Sequence, residues 1–282
     1  MTASQAWPPR SVAEVLAWGR ARIPSLEARI LLGDVLGWSH ARIASYPESI
    51  LSHEDLARFS GLVERRQLGE PVAYLVGRSE FYGRPFIVGP AVLIPRPETE
   101  LLVDLALERL KGRVSPKVLD LGTGSGVLGI TLALQVPAAC VMAADVSPDA
   151  LNVARANALA LGACVRFGCG DWFDAVGRAE TFDLIVANPP YVAAGDHHLA
   201  QGDLRFEPSS ALTDGSGDGL DSIRRIVAEA PGRLRQGGWL LFEHGYDQAI
   251  GSRALLHTAG FAQIASWRDL AGIERVSGGE WG

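Results

Sequence analysis

The chain has 282 residues, of which 48% are hydrophobic and 21% are charged, and its formal net charge is −6. This length and this balance predict one large globular domain or two domains of moderate size. The acidic charge argues against a protein that holds nucleic acid by neutralising its phosphates.

The first third of the chain has the pattern of a small helical bundle. Ser11 and Glu14 form a capping box at the start of one helix. A second helix is predicted over residues 25–37 and a third over residues 52–69, each with an apolar face and a closing glycine. We expect residues 1–70 to form an N-terminal helical bundle, which either docks a partner protein or serves as plain scaffolding.

Residues 71–95 lose the helical pattern. Short apolar segments alternate around Gly77 and Gly83, which predicts extended or hairpin structure linking two domains. The proline-rich residues 94–100 then form a rigid turn, which opens a helix that reaches Leu110. Acidic residues in the first turn of this helix suit the helix dipole.

Residues 96–282 are predicted to form one domain in which strands and helices alternate. The predicted strands are residues 118–121, 140–145, 165–169, 182–187 and 239–242, and the predicted helices after the first are residues 127–136, 148–161 and 222–234. This alternation of strands and helices predicts a doubly wound, mostly parallel α/β sheet with helices on both faces. The loop-like residues 192–221 follow the fourth strand, and long loops of this kind tend to carry function.

A glycine-rich turn follows the first of these strands, and it consists of Gly122-Thr123-Gly124-Ser125-Gly126. Alternating glycines let the backbone turn tightly and approach a ligand without an intervening Cβ. Asp145 ends the second strand, where a carboxylate can accept both hydroxyls of a ribose. The pattern G-x-G-x-x-G of dinucleotide-binding proteins also matches from Gly124 onward. These residues therefore predict a nucleoside-containing cofactor without naming it.

The loop after the third strand carries Gly170, Asp171 and Trp172. In a doubly wound sheet this loop lies near the same crevice, where a purine ring could meet a carboxylate and an aromatic face. Trp172 is therefore a candidate for binding the base of the cofactor. The alternative is that Trp172 fills the hydrophobic core.

The fourth strand is followed by Asn188-Pro189-Pro190-Tyr191. Two consecutive prolines donate no hydrogen bond, so the strand ends at Asn188 and a stiff arrangement follows at the carboxyl edge of the sheet. The Asn188 side-chain oxygen and the Pro189 carbonyl can accept hydrogen bonds from a planar amide or amino nitrogen, which supports that nitrogen as it attacks a methyl group. Tyr191 offers a ring for stacking. The motif predicts group transfer to a planar nitrogen.

The glycine turn, Asp145 and the motif at residues 188–191 resemble those of S-adenosylmethionine-dependent methyltransferases of the doubly wound class. More narrowly, the chain resembles the HemK-type glutamine-N5 methyltransferases, which modify peptide chain release factors. The likeness extends over nearly the whole chain. It includes residues 69–75, 81–83, 94–100, 207–212, 218–220 and 269–272.

This resemblance implies a seven-stranded Rossmann-like sheet, with one antiparallel strand in a C-terminal pair at residues 261–267 and 273–277. It implies S-adenosylmethionine as cofactor and S-adenosylhomocysteine as product. The implied cofactor contacts are Gly122, Thr123, Gly124, Ser125, Gly126, Asp145 (ribose), Trp172 (adenine) and Asn188. The implied catalytic and substrate-binding residues are Asn188, Pro189, Pro190 and Tyr191. The implied substrate is the glutamine of the Gly-Gly-Gln motif in class I release factors.

Three alternatives remain open. A sister branch of the family methylates a glutamine of a ribosomal protein with the same motif, although residues 95–100 resemble the release-factor branch. An adenine-N6 DNA methyltransferase suits the same four residues, but the acidic charge and the lack of an evident DNA-recognition domain argue against it. A non-catalytic binding module is disfavoured because it need not keep Asn188 and Tyr191.

The remaining features predict a cytoplasmic monomer without a metal, a membrane anchor or stably bound nucleic acid. The odd set of Cys140, Cys164 and Cys169 forms no C-x-x-C pair, which predicts reduced, buried thiols. Residues 1–10 contain no signal-peptide core, and no uncharged apolar run approaches the roughly 18 residues of a membrane span. The six histidines show no metal-ligand spacing.

Overall fold

The computed structural model describes residues 10–200 and 202–282. The chain divides into two compact units, Met1–Gly77 and Arg78–Gly282. The expectation that residues 1–10 hold no secretory signal falls on a segment that lies, except for Arg10, outside the described residues. Within the part of the chain that is described, no helix is long and apolar enough to cross a membrane.

The first unit is a helical bundle. Its described helices are α1 (Val12–Arg20), α2 (Ser25–Leu36), α3 (His40–Ser45), α4 (His53–Gln67) and α5 (Val72–Val76). The predicted capping box is confirmed at α1, where the backbone N–H of Glu14 donates to Ser11 Oγ (3.3 Å) and that of Ser11 donates to Glu14 Oε2 (2.9 Å). Fully buried side chains such as Leu31, Phe59 and Val63 form the core of this unit.

Residues 72–76 correct the prediction of extended structure, because they form the short helix α5. Pro71 precedes its first turn, and Gly77 ends it in the left-handed conformation (φ 71°). Leu75 packs into the core of the first unit, so tertiary burial outweighs the strand preference of the valines. The division between the units therefore follows Gly77, and the hairpin begins only after it. The short helix α3, capped by Ser39, was not predicted.

The second unit contains a hairpin and a seven-stranded sheet. The hairpin pairs β1 (Arg78–Phe81) with β2 (Arg84–Ile87). The sheet strands are β3 (Lys117–Leu121), β4 (Cys140–Asp145), β5 (Val165–Cys169), β6 (Phe182–Ala187), β7 (Leu234–Glu243), β8 (Ala262–Arg268) and β9 (Glu274–Trp281). They lie in the order β5-β4-β3-β6-β7-β9-β8, and β9 runs opposite to the other described strands of this sheet, antiparallel to both β7 and β8. The predicted seven-stranded, mostly parallel sheet is confirmed.

Helices cover both faces of this sheet. They are α6 (Glu100–Leu110), α7 (Val127–Gln135), α8 (Pro148–Leu161), α9 (Asp221–Glu229) and α10 (Ala249–Thr258). Val118 of β3 faces a core layer shared with α6, α7 and α8, whereas Leu119 faces a layer shared with α9 and α10. A parallel strand that is buried on both faces has a nearly continuous apolar sequence. For this reason β3, β4 and β6 could be predicted from the sequence.

The strand order places the two chemical motifs side by side. The chain moves outward from β3 to β4 and β5, and then returns to the other side of β3 with β6. At the carboxyl ends of the two neighbours, Leu121 pairs with Ala187, so the glycine turn and Asn188 follow adjacent strand ends. Open α/β sheets bind their ligands at such a reversal of strand order.

The three cysteines are free, as predicted, but they are exposed rather than buried. Cys140 opens β4 and Cys164 directly precedes β5, so both lie at the amino edge of the sheet. Cys169 ends β5, which is an edge strand. The apolar character of cysteine predicted burial, whereas the strand ends and the sheet edge leave these side chains in contact with solvent.

Candidate active site

A cavity of about 350 Å³ opens at the carboxyl ends of β3, β4 and β6. It is lined by eight of the residues selected from the sequence, namely Gly122, Thr123, Gly124, Ser125, Asp145, Trp172, Asn188 and Pro190. The other three, Gly126, Pro189 and Tyr191, are not part of its wall. The cavity thus joins the predicted cofactor motif to the first residue of the predicted catalytic motif.

Two glycines of the turn after β3, Gly122 and Gly126, lack a side chain for different structural reasons. A Cβ on Gly122 would lie 3.3 Å from the Trp172 ring, and the residue has a φ of 68°. A Cβ on Gly126 would lie 2.6 Å from Ile130 Cδ1 and 3.2 Å from Ala154 Cβ, which would interfere with the packing of α7 against α8. Gly122 therefore keeps the cavity wall open, and Gly126 lets the helix that follows approach its neighbour.

Asp145 is held in place by backbone groups on both sides. Its Oδ2 accepts the N–H of Gly124 at 2.9 Å, and its Oδ1 accepts the N–H of Ser147 at 2.8 Å. Burial raises the pKa of this carboxyl, while backbone hydrogen bonds from Ser147, Gly124 and Val146 act in the opposite direction. A carboxylate has about four acceptor positions, so this fixed group in the cavity wall can still accept from hydroxyl donors such as those of a ribose diol.

Trp172 forms part of the cavity wall and also packs against the hydrophobic core. Its backbone lies in the left-handed region (φ 48°), which is uncommon for a residue other than glycine. The neighbouring Phe173 is the fully buried member of the loop. Phe173 therefore fills the core, and the half-buried Trp172 is left with one side available to the cavity.

The motif after β6 divides between the cavity and the interior. The Asn188 side chain lines the cavity, and its Nδ2 donates to Thr99 Oγ1 at 3.2 Å. Pro189 is buried, and Pro190 forms part of the wall. The Tyr191 hydroxyl donates to Glu243 Oε1 at 3.1 Å, and burial raises the pKa of Tyr191. The ring predicted to stack on the substrate is thus anchored in the interior by its hydroxyl.

Comparisons with known proteins follow the same division of the chain. The family model described as the PrmC N-terminal domain matches residues 12–77, and the one described as the methyltransferase small domain matches residues 99–215. The chain is 53% identical over 257 residues to a release factor glutamine methyltransferase of Bordetella pertussis, with 91% of this chain and 95% of that protein covered. It is 48% identical to the enzyme of the same description from Neisseria gonorrhoeae, with 93% and 96% covered. The chain belongs to the release factor glutamine methyltransferase family.

Membership of the release factor glutamine methyltransferases makes the chain a methyltransferase, and solved structures agree on the fold. The 16S rRNA methyltransferase of T. thermophilus, solved with AdoMet and guanosine, aligns with a TM-score of 0.54 at 22% identity. The alignment covers 72% of this chain and 49% of the solved one. At this identity the likeness supports the Rossmann-like methyltransferase fold alone.

Asp120 is a site residue to which the sequence reasoning gave no role. It is fully buried below the glycine turn, where its Oδ2 accepts Thr123 Oγ1 (2.6 Å) and the N–H of Gly129 (2.9 Å). Burial raises its pKa to about 6. The carboxylate therefore ties the turn to the start of α7. Its position near the end of β3, two residues before the first glycine, is the sequence signal that could have identified it.

Thr99 and Glu243 are two further residues that the sequence did not single out. Thr99 lines the cavity, and its hydroxyl donates to Glu243 Oε2 at 2.7 Å. Both side chains are buried, and burial raises the pKa of Glu243. The local sequence gives one hint of Glu243, namely that it is an acidic residue at the end of the apolar stretch of β7. Its hydrogen-bond partners are far away in sequence.

Arg96 places a cation in the cavity wall near this network. It forms an ion pair with Glu207, whose other oxygen accepts the backbone N–H of Ile94 at 2.9 Å. The Glu207 side chain has no exposed surface. The turn at residues 94–100 and the loop that follows β6 are thus joined by a buried carboxylate.

Proposed function

We propose that the chain transfers the methyl group of S-adenosylmethionine to the side-chain amide nitrogen (N5) of the glutamine in the Gly-Gly-Gln motif of class I release factors. The observation that carries this proposal is the single cavity shared by the glycine turn, Asp145 and Asn188. Its volume of about 350 Å³ lies within the usual range for small-molecule sites, about 300–1,000 Å³.

The residues of the cavity fit S-adenosylmethionine. Asp145 places in the cavity wall a fixed carboxylate that can accept from ribose hydroxyls, and Trp172 offers an aromatic surface to the adenine. The absence of a side chain at Gly122 leaves room beside that ring. When bound, the cofactor supplies an electrophilic methyl group. The protein contributes the orientation of the two reactants and the exclusion of water.

Asn188 is proposed to orient the substrate amide. Its Nδ2 is already bound to Thr99, so its Oδ1 is the end that remains available to accept a hydrogen bond. Accepting an N–H of the substrate amide, together with the Pro189 carbonyl, would hold the nitrogen in line and stabilise the positive charge that develops during methyl transfer. The proton leaves the nitrogen for solvent after transfer, so no strong base is required.

The N-terminal unit is proposed to dock the release factor. The match of residues 12–77 to the PrmC N-terminal domain supports a role specific to this family rather than to methyltransferases in general. A cytoplasmic, monomeric enzyme without stable nucleic-acid binding completes the proposal. The net charge of −6 agrees with the last point.

The test is mass spectrometry of the Gly-Gly-Gln peptide after a purified class I release factor is incubated with the enzyme and S-adenosylmethionine. We expect one added methyl group on the glutamine. Parallel reactions with tritium-labelled cofactor offer ribosomal proteins and duplex DNA instead. Label that enters only the DNA or only a ribosomal protein would refute the proposed substrate.

A further inference from the structure

A chain of buried hydrogen bonds lies behind Asn188. The amide Nδ2 of Asn188 donates to Thr99 Oγ1 (3.2 Å), and the Thr99 hydroxyl donates to Glu243 Oε2 (2.7 Å). The second oxygen of Glu243 accepts the hydroxyl of Tyr191 (3.1 Å). Thr99 is 3% exposed and Glu243 is 1% exposed. One carboxylate therefore connects the first and last residues of the motif at residues 188–191.

The direction of each hydrogen bond in this chain follows from the chemistry of its members. Burial raises the pKa of Glu243, but the hydrogen bonds from Thr99 and Tyr191 favour its ionised form. An ionised carboxylate only accepts, so the single proton of the Thr99 hydroxyl is directed to Glu243. The Thr99 oxygen then has only acceptor capacity left for Asn188. The Asn188 amide must present its Nδ2 to Thr99, and its Oδ1 becomes the end that is free.

We propose that Glu243 is a positioning residue for methyl transfer, which acts through Thr99 to set the orientation of the Asn188 amide and which holds Tyr191 directly. This inference rests on the proposed function, because the orientation matters only if Asn188 accepts from a substrate N–H. If the amide were reversed, its NH₂ group would face the NH₂ group of the glutamine. Two donors would then oppose each other at the position where the reacting nitrogen must be held.

This role of Glu243 requires a carboxylate rather than an amide. A glutamine in place of Glu243 would have one acceptor oxygen for two donors, Tyr191 and Thr99. If its NH₂ group faced Thr99, the Thr99 hydroxyl would be released to donate to Asn188, and the Asn188 amide would be free to reverse. If its NH₂ group faced Tyr191, the Tyr191 hydroxyl would lose its acceptor. Either arrangement loosens one end of the motif.

The kinetic test compares Glu243→Gln and Thr99→Val with Thr99→Ser, which keeps the hydroxyl. The first two variants are expected to lower kcat by about 10- to 100-fold, the scale of a misplaced reacting group. Thr99→Ser is expected to recover most of what Thr99→Val loses. The dissociation constant of S-adenosylmethionine is expected to stay within about twofold for Glu243→Gln, because Glu243 does not line the cavity. Glu280→Gln, at a half-buried position near the end of β9, is the matched control.

Nuclear magnetic resonance tests the orientation without any substrate. The side-chain amide signal of Asn188 is expected to shift in Thr99→Val and in Glu243→Gln and to stay close to the wild-type position in Thr99→Ser. A wild-type enzyme that fails to methylate release factors would refute the proposed function, while this signal would still report on the network. Wild-type kcat in Glu243→Gln, or an unshifted Asn188 signal in Thr99→Val, would overturn the inference. Thermal unfolding of each variant identifies those that fail to fold, and Thr99→Val then serves in place of Glu243→Gln.

Discussion

Replacing Asp145 with alanine tests the cofactor site most directly. Both carboxylate oxygens are fixed by backbone N–H groups, from Gly124 at 2.9 Å and from Ser147 at 2.8 Å. The group is therefore preorganised to accept the ribose hydroxyls, and little entropy is lost when they bind. Hydrogen bonds to a charged group contribute about 1.5–3 kcal/mol. At about 1.4 kcal/mol for each factor of ten, Asp145→Ala should weaken S-adenosylmethionine binding by about 10- to 150-fold.

Isothermal titration calorimetry measures this change, and Asp174→Ala is the control. Asp174 is an exposed acidic residue close in sequence to Trp172, and it does not line the cavity, so its loss changes the net charge equally. Asparagine at position 145 is a second test. Its amide would place an NH₂ group against one of the two backbone donors, so it should not restore full affinity. Unchanged cofactor affinity in a folded Asp145→Ala variant would refute the assigned ribose contact.

Three further predictions concern catalysis, packing and pH. Asn188→Ala should abolish methyl transfer to the release factor while thermal unfolding stays cooperative, and wild-type turnover would disprove the orienting role. Gly126→Ala should lower the free energy of unfolding by about 1–3 kcal/mol in urea titrations, because the added Cβ would meet Ile130 Cδ1 at 2.6 Å in a backbone with φ 89°. Burial raises the pKa of Asp120 to about 6, so the stability associated with this group is fully present below about pH 4 and is lost as the pH rises through 6. The free energies of unfolding of the wild type and of Asp120→Asn, compared between pH 4 and pH 7, should diverge by on the order of 3 kcal/mol, and parallel curves would contradict the assignment.

The family, the sheet and the chemical motifs were predictable because each depends on local properties of the chain. Strands β4, β5 and β6 have the bounds that the sequence predicted. Glycine tolerates the positive φ of a tight turn, and consecutive prolines end a strand wherever they occur. Asp145 could be selected because it ends a predicted strand, and Asn188 could be selected because it directly follows one.

The errors arose where distant contacts decide local structure. Residues 72–76 carry valines that favour strands, yet the burial of Leu75 in the first unit stabilises a helix. The cysteines are apolar enough for a core, yet their places at strand ends and on an edge strand expose them. The helix at residues 72–76 and the exposure of the cysteines are both decided by tertiary structure and not by the neighbouring residues in sequence alone.

The sequence by itself determined that a glycine turn, an acidic strand end and an Asn-Pro-Pro-Tyr motif are present, because these depend on backbone chemistry within a few residues. Only the tertiary structure decided how that motif is held. Thr99 lies 89 residues from Asn188 and 144 residues from Glu243, and each is an ordinary polar side chain in its own segment. The order of strands brings β6 and β7 together, and the turn before α6 inserts Thr99 between Asn188 and Glu243. The partners of a buried carboxylate are brought to it by such long-range packing, so no local sequence pattern predicts them.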